Sequence, residues 1–352
     1  MFFSGLGTAA PSTHWTQTQC WDALVASDYL GRLNPRSQAI LRKVLRGNNG
    51  ICGRHLALER LSDAFDFDPD VLDARFAKHA PDVASQAAAR ALQDAGLEPG
   101  DIDAVIVSTC TGYLCPGLTS YVTERLGLPA GILALDLVGQ GCGAAMPNMR
   151  MGEALLASGR AARVLSICVE ICSAAMYLDD DPGVLISACL FGDGAGAAVL
   201  TADPMPGRRR VEWKSAGTVM NAADREELRF ERRRGMLRNI LTPAVPAIAA
   251  KHVGAVLTTG LEREGVGRED ISGWILHAGG REILAAVRQQ LGLTEDDTRW
   301  SAAVLREYGN VSSPCVYFVL KAALDEPAPG GYWWMSSFGA GFSCHGALLA
   351  VE

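Results

Sequence analysis

The sequence contains no apolar run approaching the ~18 residues that a membrane-spanning helix needs, which argues against a transmembrane span. Its opening stretch, MFFSGLGTAAPSTHW, has neither a positively charged start nor a long apolar core, so it does not read as a secretory signal. Basic residues are not in excess: 32 Lys and Arg face 39 Asp and Glu, giving a net charge of −7 and a pI near 5.5. A general nucleic-acid binder needs a basic surface, so that class is disfavoured. The two dense basic stretches, Arg208-Arg209-Arg210 and residues 229–238 with Glu231 among them, read as solvated surface. Ten cysteines are present but no C-x-x-C pair: Cys110 and Cys115 are five apart, Cys168 and Cys172 four. A zinc framework is therefore not expected, no metal is assigned, and the thiols read as free in a reducing cytoplasm.

What is present is chain enough for a large core: 352 residues, 49% of them apolar and 20% charged. Helical and strand-like segments alternate, the mark of an α/β architecture. Residues 82–96 (DVASQAAARALQDAG) predict an alanine-rich helix ending at a glycine stop signal. Residues 101–107 (DIDAVIV), 163–169 (RVLSICV) and 195–200 (AGAAVL) predict buried strands. Prolines and a glycine between residues 203 and 210 mark a boundary, dividing the chain into halves at 1–205 and 206–352. The segment at 101–107 has an echo at 270–276 (DISGWIL), and Phe191-Gly192-Asp193-Gly194 has one at Phe338-Gly339-Ala340-Gly341. Both echoes occur in the same order, which predicts two related halves about a pseudo-twofold.

Three segments carry reactive groups. Cys142 stands between Gly141 and Gly143, after an apolar run and before a predicted helix through Gly159. Flanking glycines permit a strained turn that lifts a nucleophile out of a strand. A thiol at a helix N-terminus is expected to ionise more readily, its pKa falling from ~8.5 toward ~3.5–7.5. Pro147 fits only the first turn of that helix. His277 ends the predicted strand Trp274-Ile275-Leu276 and is followed by Ala278-Gly279-Gly280, placing an imidazole where α/β sheets bind ligands. Asn310, in Tyr308-Gly309-Asn310-Val311-Ser312-Ser313, can aim an amide donor at a carbonyl oxygen, and the Ser-Ser pair is expected to cap a following helix.

Together these segments resemble the Cys-His-Asn site of the type III polyketide synthases, the chalcone synthase family of the thiolase superfamily. The resemblance runs in order along nearly the whole chain. It includes Gly5-Leu6-Gly7-Thr8-Ala9-Ala10-Pro11-Ser12, the block from Thr109 to Gly117, Cys168-Val169-Glu170 and Leu190-Phe191-Gly192-Asp193-Gly194-Ala195. It implies a thiolase-like five-layered αβαβα fold with two pseudo-repeated halves, assembled as a homodimer. It implies Cys142, His277 and Asn310 as catalytic residues that act on an acyl-CoA starter and malonyl-CoA, with no cofactor beyond these CoA thioesters and no carrier protein. Phe191 matches a gatekeeper position. Cys110, Thr111, Cys115, Cys172, Ala175 and Ser312 match positions that shape the reaction chamber, as do Gly279, Phe338 and Gly339. Arg42, Lys43, Arg46 and Arg54 loosely replace a basic patch for the CoA phosphates.

The sequence also departs from the family. Ala340 replaces the proline of its Gly-Phe-Gly-Pro-Gly loop, Ala278 replaces the proline after the histidine, and no second gatekeeper phenylalanine occurs between Leu237 and Asn239. These changes, with the small Ala175, favour a fatty acyl starter and a pyrone or resorcinol product over a plant-like aromatic starter. Two alternatives stand beside this reading: a ketoacyl-acyl-carrier-protein synthase III and a catalytically silent partner subunit. The former expects Gly-Asn-Thr at the asparagine, where this chain has Gly309-Asn310-Val311.

Overall fold

The computed structural model describes residues 1–352. Nine strands form one sheet in two runs. The first run is Phe2–Ala9, Gly194–Thr201, Arg163–Glu170, Ala104–Thr109 and Leu133–Val138; the second is Val211–Met220, Ser343–Val351, Gly331–Gly339 and Ile271–Leu276. Each run opens with its earliest strand antiparallel to its latest; the next pair is antiparallel too, and only the outermost strands pair parallel. A single register pair, Phe2 with Glu212, joins the runs. The connection at residues 202–210 is where the chain passes from one to the other.

Helices separate and cover the runs. Ala145–Ala157 and Cys315–Asp325 touch strands of both, and so lie between them. Pro69–Ala95 covers the outer face of the first run and Val245–Glu264 that of the second. The buried apolar residues divide accordingly into one inner cluster and two outer ones.

The outer helix of the first run lies very close to its sheet because both surfaces are small. A Cβ on Gly5 would fall 2.2 Å from the Ala91 carbonyl oxygen, and one on Gly7 2.2 Å from that of Ala87. This helix ends at Gly96 (φ 66°), the predicted stop, but it starts at Pro69 rather than near residue 82. Asp68 caps that start by accepting from the Asp70 N–H (2.9 Å), and burial of Leu72 and Phe76 carries the helix through Pro81. The strand predicted at 101–107 runs instead over Ala104–Thr109. The preceding residues Pro99–Asp101 close a 3₁₀ turn in which Asp101 accepts from the Glu98 N–H (2.9 Å).

Candidate active site

The reactive segments converge beyond the C-terminal ends of the strands. Cys110 and Thr111 follow Ala104–Thr109, Cys142 follows Leu133–Val138, Cys172 follows Arg163–Glu170, and His277 follows Ile271–Leu276. Cys142 sits in the 3₁₀ turn Gly141–Gly143, with Gly141 at φ 57°, and the helix Ala145–Ala157 starts just after, with Pro147 in its first turn. The second half backs this turn directly. A Cβ on Gly339 would lie 2.5 Å from the Gly143 nitrogen, 2.6 Å from the Gln140 oxygen and 3.0 Å from the Cys142 nitrogen.

Short contacts link Cys142 to the Asn310 segment, and Asn310 to Gly279, two residues beyond His277. The Ser312 hydroxyl donates to Cys142 Sγ (3.2 Å), and the Ser312 N–H donates to Asn310 Oδ1 (2.8 Å). Asn310 Nδ2 donates to the Gly279 carbonyl (3.1 Å), which leaves its second N–H free. A Cβ on Gly279 would lie 3.3 Å from His277 Nε2, and Phe338 meets the His277 ring edge-on at 5.0 Å. The Asn310 backbone is tied to the Phe191 turn: its N–H donates to the Leu190 carbonyl (2.9 Å) and its carbonyl accepts from Gly192 (3.0 Å). Ser312 holds a left-handed conformation (φ 59°), a strained one for a residue with a side chain.

Electrostatics correct one expectation. Burial pushes the Cys142 thiol up to about 12, against the lowering effects of the Ser312 hydroxyl and its own backbone N–H. Desolvating a lone thiolate outweighs the helix end that was expected to favour it. Burial likewise holds the His277 imidazole near 4. Both penalties belong to charges left alone. Burial alone therefore leaves the thiol and the imidazole uncharged at neutral pH. Replacing Ser312 by alanine removes a hydrogen bond to the thiolate, of about 1.5–3 kcal/mol for a charged acceptor. Ser312→Ala is therefore expected to shift the pH profile of Cys142 alkylation upward by about one unit or more. An unchanged profile would contradict the assigned contact.

Histidine burial also predicts acid lability. His277 and His345 protonate near 6.5 when unfolded but near 4 when folded. Between those values the unfolded state binds more protons, so this contribution to stability is present above about 6.5 and is lost as pH falls toward 4. It is about 3 kcal/mol per residue at most. Burial raises the Glu170 and Asp193 carboxyls, which act in the opposite sense. The difference between urea-unfolding curves of the intact protein and His345→Gln isolates the histidine. Intact protein is expected to lose more stability than the variant from pH 6.5 to 4.

The serine pair has a different role from the expected cap. The helix Cys315–Asp325 starts at Pro314 without a side-chain cap. Ser313 Oγ donates instead to Glu170 (2.6 Å), a fully buried carboxylate that also accepts from the Cys110 and Thr111 N–H groups (3.0 and 3.1 Å) and the Thr111 hydroxyl (2.8 Å). Glu170 thus ties the segment after Thr109 to the Asn310 segment.

Cys142 forms part of the wall of an open cavity; twelve of its eighteen lining residues are apolar. Cys110, Thr111, Cys172, Ala175, Phe191 and Ser312 line it. Gly279, Phe338 and Gly339 do not; they support the cluster from behind, and Ala340 lines the wall instead. Cys115 is exposed in the loop before helix Leu118–Leu126 and lies off this cavity.

The family descriptions match the chain in two adjoining parts: an FAE1/type III polyketide synthase-like protein over residues 27–231, and the C-terminal domain of chalcone and stilbene synthases over 226–349. The chain belongs to the type III polyketide synthase family. It is therefore an acyltransferase that carries out decarboxylative Claisen condensation on CoA thioesters, with a thiolase fold. The ketoacyl synthase III alternative is set aside. A 3,5-dihydroxyphenylacetyl-CoA synthase of Streptomyces toyocaensis is 30% identical, covering 98% of this chain and 88% of the relative. Its namesake from Amycolatopsis orientalis is 29% identical, covering 99% and 92%. Among solved structures, PKS-I of the brown alga Ectocarpus siliculosus is 27% identical with a TM-score of 0.90, covering 99% of this chain and 98% of that one. The 1,3,6,8-tetrahydroxynaphthalene synthase of Streptomyces coelicolor A3(2) shares the fold at 24% identity, with a TM-score of 0.90 over 100% of this chain and 99% of that one.

Two further expectations about this polyketide synthase change. Arg54 is not available to a CoA phosphate: it is 3% exposed, and its Nη1 donates to the carbonyls of Ala188 (2.7 Å) and Phe191 (2.9 Å). It fixes the turn at Phe191 instead. The basic stretch at 229–238 is only partly solvated surface. Its strands Leu228–Arg233 and Met236–Leu241 form a hairpin whose base puts Leu228, Arg229, Phe230 and Asn239 into the cavity wall. Arg238 is 8% exposed and held by Asp179, Asp181 and Glu231. Phe230 pairs in register with Asn239, so an aromatic ring reaches the wall from the strand opposite the position where the sequence lacked one. The alternation of Leu228, Arg229 and Phe230 was the available signal. Met176, Tyr177, Val184, Ser187 and Ala188 complete the wall and were not anticipated.

Proposed function

We propose that Cys142, His277 and Asn310 are the catalytic residues and that the starter is a fatty acyl-CoA. Cys142 Sγ attacks the starter thioester, its proton passes to His277, and the CoA thiol leaves with that proton. Malonyl-CoA then loses CO₂. The resulting enolate is held by the free Asn310 N–H and a His277 N–H. Its carbon attacks the Cys142 thioester carbonyl, the acyl C–S bond breaks and the Cys142 thiolate leaves, so the lengthened chain is a CoA thioester; its transfer back to Cys142 with release of the CoA thiol permits repetition, and ring closure gives a pyrone or resorcinol. The placement of Cys142 at the wall of a mostly apolar cavity carries this reading.

Arg42, Lys43 and Arg46 are exposed on helix Pro35–Arg46 and form no ion pair, which suits them to CoA phosphates. The strand Leu133–Val138 has one unpaired edge, and Val138 at its end is 55% exposed; pairing of two copies there would give the homodimer. The ten free thiols suit a reducing cytoplasm.

The test is a panel of acyl-CoA starters of increasing chain length, each with malonyl-CoA and no carrier protein, read by product mass. Alkylpyrone or alkylresorcinol masses are expected. Malonyl-CoA alone yielding an arylacetyl-CoA, the kind of product the Streptomyces and Amycolatopsis relatives are named for, would replace the fatty-acyl reading. No consumption of malonyl-CoA in any mixture would favour the silent subunit.

A further inference from the structure

Arg54 carries a buried charge that no carboxylate answers. It is 3% exposed, no Asp or Glu oxygen lies within 4.0 Å of its guanidinium, and its Nε has no partner. An ion taken out of water is costly until an opposite charge or strong hydrogen bonds offset it, so buried charges are normally paired. Nη1 donates to the carbonyls of Ala188 (2.7 Å) and Phe191 (2.9 Å), and Nη2 donates to Cys20 Sγ (3.4 Å). Cys20 is the one sulfur in the chain hydrogen-bonded to a cation. Cys142 and Cys168 meet hydroxyls, Cys315 a backbone N–H and Cys110 a carboxylate.

This sulfur also borders an open recess. Cys20 lies on helix Gln17–Ala26 and is 8% exposed. Thirteen of the fourteen residues around the recess are apolar or thiol-bearing, and the other is Arg54. A thiol adds to electrophiles as its thiolate. Burial opposes that charge throughout the interior, and at Cys20 a guanidinium without another anion offsets it. A recess that is apolar but for one engaged cation suits an uncharged reagent.

We propose that Cys20 is a covalent modification site for small uncharged α,β-unsaturated carbonyl compounds, and that the adduct slows catalysis through Arg54. The sulfur electron pair forms a C–S bond to the β-carbon and the C=C π pair moves onto the carbonyl as an enolate. The thiol proton ends on the α-carbon, and nothing is released. The adduct adds bulk against the guanidinium that ties the Phe191 turn. A Cβ on Gly309 would lie 2.9 Å from Arg54 Cγ, so the same side chain also backs the residue before Asn310. Displacing Arg54 loosens both segments. The inference holds whichever starter the enzyme accepts.

Two measurements with N-ethylmaleimide test it. In the first, the intact enzyme is labelled over time and each cysteine is followed by peptide mass spectrometry. Cys189 lines the same recess, but burial pushes its thiol up to about 12; Cys52 is exposed. Cys20 is expected to label at least about tenfold faster than Cys189 and no slower than Cys52. A smaller ratio in either comparison overturns the site. The second compares malonyl-CoA consumption by the intact enzyme and by Cys20→Ser after the same treatment, with Cys142 labelling read from the same spectra. Untreated Cys20→Ser is expected within about twofold of the intact enzyme, since serine keeps an acceptor for Arg54. Treated intact enzyme is expected to lose about tenfold more activity than its Cys142 labelling explains, while treated Cys20→Ser loses only in step with that labelling. Loss in step with Cys142 labelling in both proteins would overturn the coupling through Arg54.

Discussion

Cys142→Ala is expected to abolish polyketide formation, by about 10⁴-fold or more, while malonyl-CoA decarboxylation stays within about tenfold of the intact enzyme. The two steps need different groups. Condensation needs a covalent thioester on Sγ, and no neighbouring group replaces it: Cys110 is held by Glu170 (3.2 Å), and burial together with that carboxylate pushes its thiol well above the ordinary range. Decarboxylation needs donors at the thioester oxygen, and Asn310 keeps its place without the sulfur because Gly279 and the Leu190–Gly192 backbone hold it. Asn310→Ala and His277→Ala are expected to invert the pattern, lowering decarboxylation by about 10²–10³-fold. Product masses and CO₂ release, measured on the same samples, separate the steps. Loss of decarboxylation in Cys142→Ala, with the protein folded, would show that the sulfur takes part in both.

Gly339→Ala is expected to reduce condensation by about a hundredfold or more, though residue 339 lies off the cavity. The added Cβ would fall within 3.0 Å of three backbone atoms of the nucleophile turn, at Gln140, Cys142 and Gly143. Backbone cannot rotate away as a flexible side chain does, so strand Gly331–Gly339 or the turn must move. A shift of ~1 Å at a reacting atom lowers rates by roughly 10². The neighbouring Ala340 lines the cavity and meets the turn at Gly141, so Ala340→Gly serves as a comparison that removes bulk there without adding an atom near the Cys142 backbone. Alkylation of Cys142 and product formation should fall together in Gly339→Ala, with the unfolding midpoint lowered as well. Full activity in that variant would mean that the two halves do not position the nucleophile through this contact.

Much of the site was legible because its chemistry is local. Gly141 and Gly143 around Cys142, His277 at a strand end, and the Gly309-Asn310 step each predicted a turn with a reactive group, and each turn is present. The inner strands were legible for a related reason: residues 104–109, 163–170 and 194–201 are buried on both faces, so they appear as unbroken apolar runs. Signals failed where a residue's surroundings come from distant chain. Arg54 and Arg238 looked like surface cations, and both are buried against carbonyls or carboxylates from other elements. Phe230 was passed over because its basic neighbours masked a strand whose start, Leu228 to Phe230, borders the cavity.

By itself, then, the sequence determined the fold class and, through its motifs, the family, because hydrophobic period and short motifs act over a few residues at a time. Only the tertiary structure decided the ionisation of the reactive side chains and the shape of the chamber. Desolvation depends on everything packed around an atom, and it outweighed the local helix end at Cys142. The cavity wall is assembled from segments as far apart as Cys110 and Ala340, and its adjoining space from Cys20 to Cys189. No neighbouring residues encode such distances; the meeting of separate elements creates them.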